Sequence, residues 1–508
     1  MEYANELNGF YNRFDIHDFN EATTALLQDL NTPTSSEPFL TLTEDEVRAE
    51  FSRVNPSKAI GPDGISPRVL KVCASQLAPI FTSIFNLSFQ TRYVPKLWKL
   101  SCIIPIPKKS PITCNNDLRP VALTSVVMKS VERFVLKLLK SLTSPFLDPL
   151  QFAYQAKRNT EDAILYSLEK LYSHLELTKH GNFARIIYFD FSSAFNTIQP
   201  CILGKKMVNM SIPTNIITWI VNYLTSRQQF VQLKCSNCCS TILTSNTGAP
   251  QGTVLAPFLF TLYTSDFRAD GDGCSLVKFA DDTALLGLIR EEDSSTFLHL
   301  IQCFVDYCKD NYLELNTSKT KELVIDYRKH KVVPEPIMIN GTEVMRTSHY
   351  KYLGIVMDDQ LSWHQHTDYL IKKLNPRMYC LRKLFKFNVN KDILRMFYES
   401  VIVGVWNYCI CAWGGNVRLY DAKRIDSVTS KARRLVGTCK SFNNIYNDAV
   451  QSKFHKIWKD NTHPLHNIFA TAESERSGRM RLPQSVTNRH SSSFVPQSIR
   501  LHNKNYKR

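Results

Sequence analysis

Short apolar runs bounded by turn-forming residues alternate with longer stretches of helical periodicity along most of this chain. The runs at 102–107 (CIIPIP), 185–189 (RIIYF), 229–235 (QFVQLKC), 276–280 (LVKFA), 283–287 (TALLG), 322–327 (ELVIDY) and 351–357 (KYLGIVM) predict strands. Between them, Ser66-Pro67 supplies a helix cap and a first-turn proline, and after Pro120 the positions Val127, Val131, Val135, Leu138 and Leu142 recur at helical spacing. Strands interleaved with helices in this way predict an α+β fold from about 51 to 355, with the helices segregated to one side of the sheet. From about 363 to 460 the strand runs stop. The segments DYLIKKLNPRMYCLRKLF, KDILRMFYESVIVGVW and DAKRIDSVTSKARRLVG predict a separate helical bundle. Residues 1–50 end in a Thr/Ser/Pro-rich stretch and read as a tether, and the polar last 40 residues read as only partly ordered.

Size and composition narrow this picture. At 508 residues the chain exceeds what one hydrophobic core supports, so several domains or one multi-lobed enzyme are expected. An apolar fraction of 44% with 21% charged residues excludes wholesale disorder, collagen and coiled-coil rods. The opening residues lack a basic start followed by an apolar run, and no segment reaches the roughly 18 apolar residues of a bilayer span. The longest candidate, 400–413 (SVIVGVWNYCICAW), predicts a buried helix instead. A soluble, intracellular protein is expected, in the cytoplasm with access to the nucleus. Its fourteen cysteines should be reduced and unpaired.

Charge is distributed unevenly. Residues 1–50 hold 2 Lys/Arg against 11 Asp/Glu, whereas residues 371–508 hold 26 against 8. The excess of the whole chain, +16, therefore resides in its last quarter. Such a basic region is the footprint of a polyanion partner, and nucleic acid is the commonest polyanion in cells.

Two places carry candidate chemistry. In KFADDTALLG (278–287), Asp281 and Asp282 sit between short apolar strands, at the turn of a hairpin. Asp favours turns, so alone this would read as structure. In RIIYFDFSSAFNTI (185–198), an apolar strand delivers Asp190 at its end. Placed on neighbouring strands, the three carboxylates would repel one another unless cations neutralise them. Hard divalent ions do so with oxygen ligands, and two of them about 3.5–4 Å apart support in-line phosphoryl displacement. Mg²⁺ is the default ion, with Mn²⁺ as the substitute.

Asp190 in FDFSSAF, then GAPQGTVLAPFLF (248–260), then FADD (279–282), resemble the palm motifs of reverse transcriptases. Upstream, NPSKAIGPDGISP (55–67), IIPIPKK (103–109), NDLRPVALTS (116–125) and QFAYQAKRNTEDAI (151–164) resemble the finger motifs of LINE-type, non-LTR retrotransposon enzymes of the jockey-like group. LNTSKTKELVI (315–325) and YKYLGI (350–355) continue the family's order, and a SGR…R..SF tail is similar. The resemblance implies a right-hand polymerase. Fingers and an antiparallel palm sheet would span 51–360, a helical basic thumb 361–440 and a basic extension 441–508, after the acidic tether 1–50.

The resemblance also implies residue roles. Asp190, Asp281 and Asp282 would hold two metal ions and carry the catalysis. Lys108 and Arg119 would bind triphosphate, Arg119 by a bidentate grip; Lys109 competes with Lys108 for its role. Phe195 would be the aromatic gate that excludes a 2′-hydroxyl. Gln251 and Gly252 would flank nucleotide and template, Lys319 would stand near the leaving pyrophosphate, and Tyr352-Leu353-Gly354 would grip the primer end. The implied partners are an RNA template, a DNA primer or target and dNTPs, with no membrane and no stable protein partner. Ala153-Tyr154 and Ala122 depart from the family's usual residues.

Other patterns are weaker. Cys235, Cys238 and Cys239 have zinc-like spacing without a second pair, and Cys439, His455, His463 and His466 match no strong signature. The acidic 50-residue N-terminal segment is expected to be too short for the endonuclease that LINE-type elements encode upstream, and no RNase H-like carboxylate cluster is expected in residues 441–508. A polymerase module is expected. A maturase-like protein, a catalytically decayed RNA-binding relative and a nucleotide cyclase-like palm are the rival readings.

Overall fold

The computed structural model describes residues 1–30, 40–176, 182–233, 238–271, 273–437, 440–473 and 479–505. It divides into two compact units. One comprises Met1–Asp148, Phe191–Phe267 and Asp306–Glu314, the other Pro149–Asp190, Arg268–Val305 and Leu315–Arg508.

In the first unit a four-stranded sheet runs in the order Leu118–Leu123, Ser101–Pro107, Arg227–Val231, Leu243–Ser245. The first pair is antiparallel, with Ile106 opposite Arg119, and the next is parallel, with Ser101 opposite Gln229. Residues 1–30 are not a tether. Helix Glu2–Tyr11 buries Leu7 and Tyr11 against Ile103, Leu118 and Val231, and Asn8 Nδ2 donates to the Thr241 carbonyl at 2.9 Å. Net charge did not reveal this, because the acids lie on the exposed side of an amphipathic helix. Helix Glu44–Ser52, opened by a Thr43/Glu46 capping box, buries Phe51 against Phe85 of helix Ala74–Thr91. The Thr/Ser/Pro-rich stretch 31–39 lies outside the described residues.

The second unit is built on a six-stranded sheet, ordered Met345–Arg346, Lys321–Ile325, Phe183–Phe189, Asp282–Ile289, Cys274–Phe279, Asp270–Gly271. All neighbours are antiparallel except Met345–Arg346 with Lys321–Ile325. Every residue of the central strand Phe183–Phe189 is buried, which explains its unbroken apolar run. Its one charged residue, Arg185, is fully buried and donates from Nε to Glu322 at 2.7 Å. Helix Thr160–Leu175, with an Asn159/Asp162 capping box, packs across this sheet.

Four expectations change here. The predicted strand 351–357 is a hairpin of His349–Tyr352 and Ile355–Asp358, because Leu353 and Gly354 both take positive φ, 44° and 90°. A side chain at Gly354 would also meet the Tyr408 ring at 2.9 Å. The helical segment is not a separate bundle. One hydrophobic cluster runs from Ile186, Leu286 and Leu323 through Leu374, Trp406 and Trp413 to Phe454 and Ile499. The polar C-terminus is likewise part of that core, with Phe494, Val495 and Ile499 of helix Phe494–Asn505 buried. Spaced anchors among polar residues suffice to order it. The apolar stretch 400–413 is buried at Ile402, Trp406 and Cys409–Trp413 but exposes Gly404, Asn407 and Tyr408, and it is broken: a π-helical turn Tyr398–Val403 leads into Gly404–Trp406, and Ile410–Trp413 follows. Among the described residues no helix is long and apolar enough to cross a membrane.

Candidate active site

The acidic residues are brought together by strand register. In the antiparallel pair, Phe189 lies opposite Thr283, so one further step sets Asp190 opposite Asp282. Opposed residues of such a pair project from the same face. On the other side Asp282 pairs with Phe279, leaving Ala280 and Asp281 as the two-residue turn. Asp281 and Asp282 are exposed and Asp190 is half-buried. Partial burial, then the charges of Asp281 and Asp190, push the Asp282 carboxyl up to about 6. Asp190 Oδ2 is buried without a hydrogen-bond partner. Among the described residues, no three His, Cys, Asp or Glu side chains lie close enough together to hold a metal ion as they stand. The arrangement is a repelling acidic rim that includes a buried carboxylate oxygen with no hydrogen bond, chemistry that fits a cation.

The loop after Leu315 is tied to the same strand end. Asn316 donates its N–H to the Asp190 carbonyl at 2.8 Å, and Asp190 donates its own N–H to Thr320 Oγ1 at 3.3 Å. Lys319 Nζ then stands 3.6 Å from Asp190 Oδ2, on an exposed side chain. Tyr352, by contrast, is 3% exposed, its ring 5.0 Å from that of Tyr188, and it belongs to the core rather than to a surface grip. Two rings to which sequence reasoning gave no role also feel the acids' charge. Tyr350 stacks on Tyr188 at 4.3 Å, and its hydroxyl is raised by burial and by the charges of Asp282 and Asp190. Tyr154 is raised by burial and by Asp281. The i, i+2 spacing of Tyr350 and Tyr352 places both on one strand face; depth along that face separates their roles.

The other candidates lie in the first unit. Lys108 Nζ donates to the Asn116 carbonyl at 2.8 Å, whereas Lys109 pairs with Asp117 at 3.0 Å, so the two lysines do not have the same engagement. Arg119 is exposed on its strand. Phe195 is half-buried in the turn Ala194–Asn196, its ring 5.3 Å from that of Phe260, and its carbonyl accepts the Ala249 N–H at 2.8 Å. That bond fastens Phe195 to the segment carrying Gln251 and Gly252. The Gln251 carbonyl accepts the Ala122 N–H at 2.9 Å. Gly252, at φ 110°, comes so close to the Ala122 carbonyl that an added Cβ would meet it at 3.0 Å. Sequence reasoning missed Glu132. Fully buried, it accepts the Leu255 N–H at 3.0 Å and the Tyr223 hydroxyl at 3.1 Å, and also the Val254 N–H, so it anchors this segment from behind. An acidic residue on the apolar side of helix Val126–Thr143 was the signal.

Of the zinc-like patterns, the described histidines His463 and His466 are engaged elsewhere. His463 Nε2 lies 3.1 Å from Asp162 Oδ1, which also accepts from Lys453 Nζ at 2.7 Å in a buried network. His466 Nδ1 lies 3.4 Å from the Ile457 carbonyl. Cys235 and Cys439 fall outside the described residues.

Comparison with known proteins agrees with this geometry. Residues 106–357 match the reverse transcriptase (RNA-dependent DNA polymerase) family, and this segment is a reverse transcriptase domain. The wider resemblance is to non-LTR, LINE-type enzymes. The chain is 24% identical over 457 residues to the probable RNA-directed DNA polymerase from transposon BS of Drosophila melanogaster, covering 86% of this chain and 49% of that protein. It is 24% identical over 396 residues to the RNA-directed DNA polymerase from mobile element jockey of the same species, covering 72% and 42%. With the Pol polyprotein from the type-2 retrotransposable element R2DM it shares 25% over 332 residues, 62% and 30%. The chain thus spans about half or less of the length of these curated relatives.

Proposed function

We propose that this chain is an RNA-directed DNA polymerase that extends a primer 3′-hydroxyl with dNTPs, as the polymerase part of non-LTR retrotransposition. The observation that carries the reading is the register that sets Asp190 opposite Asp282, beside the Asp281 turn. Asp190, Asp281 and Asp282 would hold two Mg²⁺, or Mn²⁺, and the mutual repulsion that raises Asp282, with an Asp190 oxygen that makes no hydrogen bond, supports this. When bound, such ions lower the pKa of the attacking hydroxyl and neutralise charge on the transferring phosphoryl group.

The remaining roles belong to the chain's own side chains. Lys319, 3.6 Å from Asp190, would neutralise the pyrophosphate leaving group and hold a proton for it. Arg119 and Lys108 would bind triphosphate oxygens, Gln251 and Gly252 would present backbone to nucleotide and template, and Phe195 would exclude the 2′-hydroxyl. In the primer grip, Leu353 and Gly354 at the hairpin turn would meet the primer backbone, while Tyr352 would support them from within. Fingers and palm would occupy 51–360, a basic thumb 361–440 and an extension 441–508, with exposed Lys372, Lys373, Arg382, Lys383 and Lys386 contacting phosphates.

Primer extension on an RNA template tests the reading. Wild type should extend the primer, and Asp281→Asn should abolish extension while RNA binding persists, because a metal ligand rather than a phosphate contact is removed. Binding of structured RNA without extension by wild type would favour the maturase-like or decayed alternative.

A further inference from the structure

The turn that carries Asp281 holds a conformation its sequence does not favour. Ala280 has φ 57°, in the left-handed region that residues with a Cβ rarely adopt. Glycine is the residue such a turn ordinarily recruits. Something in the surrounding structure must over-determine this geometry.

That constraint comes from Gln151. The segment Leu150–Phe152 runs beside the hairpin as an extra, parallel partner of Lys278: Lys278 donates to the Leu150 carbonyl at 2.9 Å and Phe152 donates to the Lys278 carbonyl at 2.8 Å. Gln151, 1% exposed, lies between these two bonds. Its Oε1 accepts the Ala280 N–H at 3.0 Å and the Ala153 N–H at 3.0 Å, and its Nε2 faces the Ala280 carbonyl at 3.5 Å. Two converging N–H donors fix the amide orientation, since the flipped amide would set donor against donor. One buried side chain therefore addresses both backbone polar groups of the residue that precedes Asp281. No other role is evident for it: it is 1% exposed and its polar atoms are spent on the backbone.

We infer that Gln151 is a positioning residue for the acid-bearing turn, holding Ala280 in its left-handed conformation and thereby aiming Asp281 at the metal and substrate site. This rests on the polymerase reading above. Gln151 touches no reacting atom. It acts through the backbone, so its loss should misplace a metal ligand while the binding surfaces for RNA and nucleotide remain.

The test compares wild type, Gln151→Met, Ala280→Gly and the double variant in primer extension, titrating Mg²⁺ and dNTP separately and measuring primer–template affinity. Met fills the same volume without hydrogen bonds. In Gln151→Met, kcat should fall at least tenfold and the half-saturating Mg²⁺ concentration should rise severalfold, while the KM for dNTP and primer–template affinity stay within twofold. Glycine reaches a φ of 57° without the clamp, so in the Ala280→Gly background the Gln151→Met change should cost less than threefold in kcat. Should Gln151→Met melt below the assay temperature, Gln151→Asn, one methylene too short to reach Ala280, replaces it with the same expectations. A folded Gln151 variant with kcat and Mg²⁺ dependence within twofold of wild type overturns the inference. So does an equal loss with Ala or Gly at 280. Inactive wild type would instead overturn the polymerase reading.

Discussion

Replacing Asp282 by Asn should make the metal-free protein more stable while removing its activity. Asp282 sits across from Asp190 and next to Asp281, and burial together with these charges holds its carboxyl at about 6 instead of 3.8. A folded-state pKa raised for an acid costs stability wherever the unfolded chain would be ionised. The cost is absent below 3.8, grows between 3.8 and 6, and is complete above 6. At 1.36 kcal/mol per pH unit the interval corresponds to about 3 kcal/mol, and because Asp282 is exposed on one flank, solvent screening leaves about 1 kcal/mol. Urea unfolding in EDTA at pH 7.5 should therefore show Asp282→Asn to be about 1 kcal/mol more stable than wild type, a gain that falls by more than half at pH 4.5. Added Mg²⁺ should stabilise wild type by mass action and the variant less. Primer extension by the variant should be undetectable. Equal or lower stability of the variant in EDTA at pH 7.5, or a gain unchanged at pH 4.5, would refute the repulsive-rim account.

Phe195→Val should retain dNTP incorporation and raise ribonucleotide incorporation, read as the ratio of the two efficiencies; an unchanged ratio in an active variant would make Phe195 an ordinary packing residue. Glu132→Ala should cost about 3–5 kcal/mol, since it strands the Val254 and Leu255 N–H groups and the Tyr223 hydroxyl, whereas Tyr223→Phe should cost about 1 kcal/mol; both are measured by urea unfolding. His366 is 1% exposed and burial lowers its pKa to about 3, so its neutral form is the folded one. Below pH 6.5 the unfolded chain binds a proton that the folded chain refuses, and stability should fall by about 2 kcal/mol between pH 7 and 5, a loss absent in His366→Gln. Lys372→Glu with Lys383→Glu on helix His364–Lys386 should weaken primer–template binding and flatten its salt dependence. Truncation after residue 370 would not isolate that effect, because the core continues through Leu374 and Trp413 to Ile499.

Strand and helix identity was legible in the chain because side-chain alternation and turn residues act locally. The run RIIYF and the hairpin KFADDTALLG form the strands they predict, and the ordered motifs from NPSKAIGPDGISP to YKYLGI resemble those of reverse transcriptases, the family that residues 106–357 match. The three carboxylates were likewise identifiable, as acids at strand ends. Their placement on adjacent strand ends was not, since pairing across 91 residues depends on register, which only the assembled sheet determines. The same reason hid Gln151, whose partner lies 129 residues away, and Glu132, whose backbone partners Val254 and Leu255 belong to a distant segment. Tyr350 and Tyr352 look alike in sequence and differ only in depth along one face. Charge misled at both ends of the chain: a few buried anchors, Leu7 and Tyr11 or Phe494 and Ile499, order segments whose average composition reads as solvated. Burial of an individual side chain is set by what packs on it, and that information resides in the tertiary contacts, not in the local pattern.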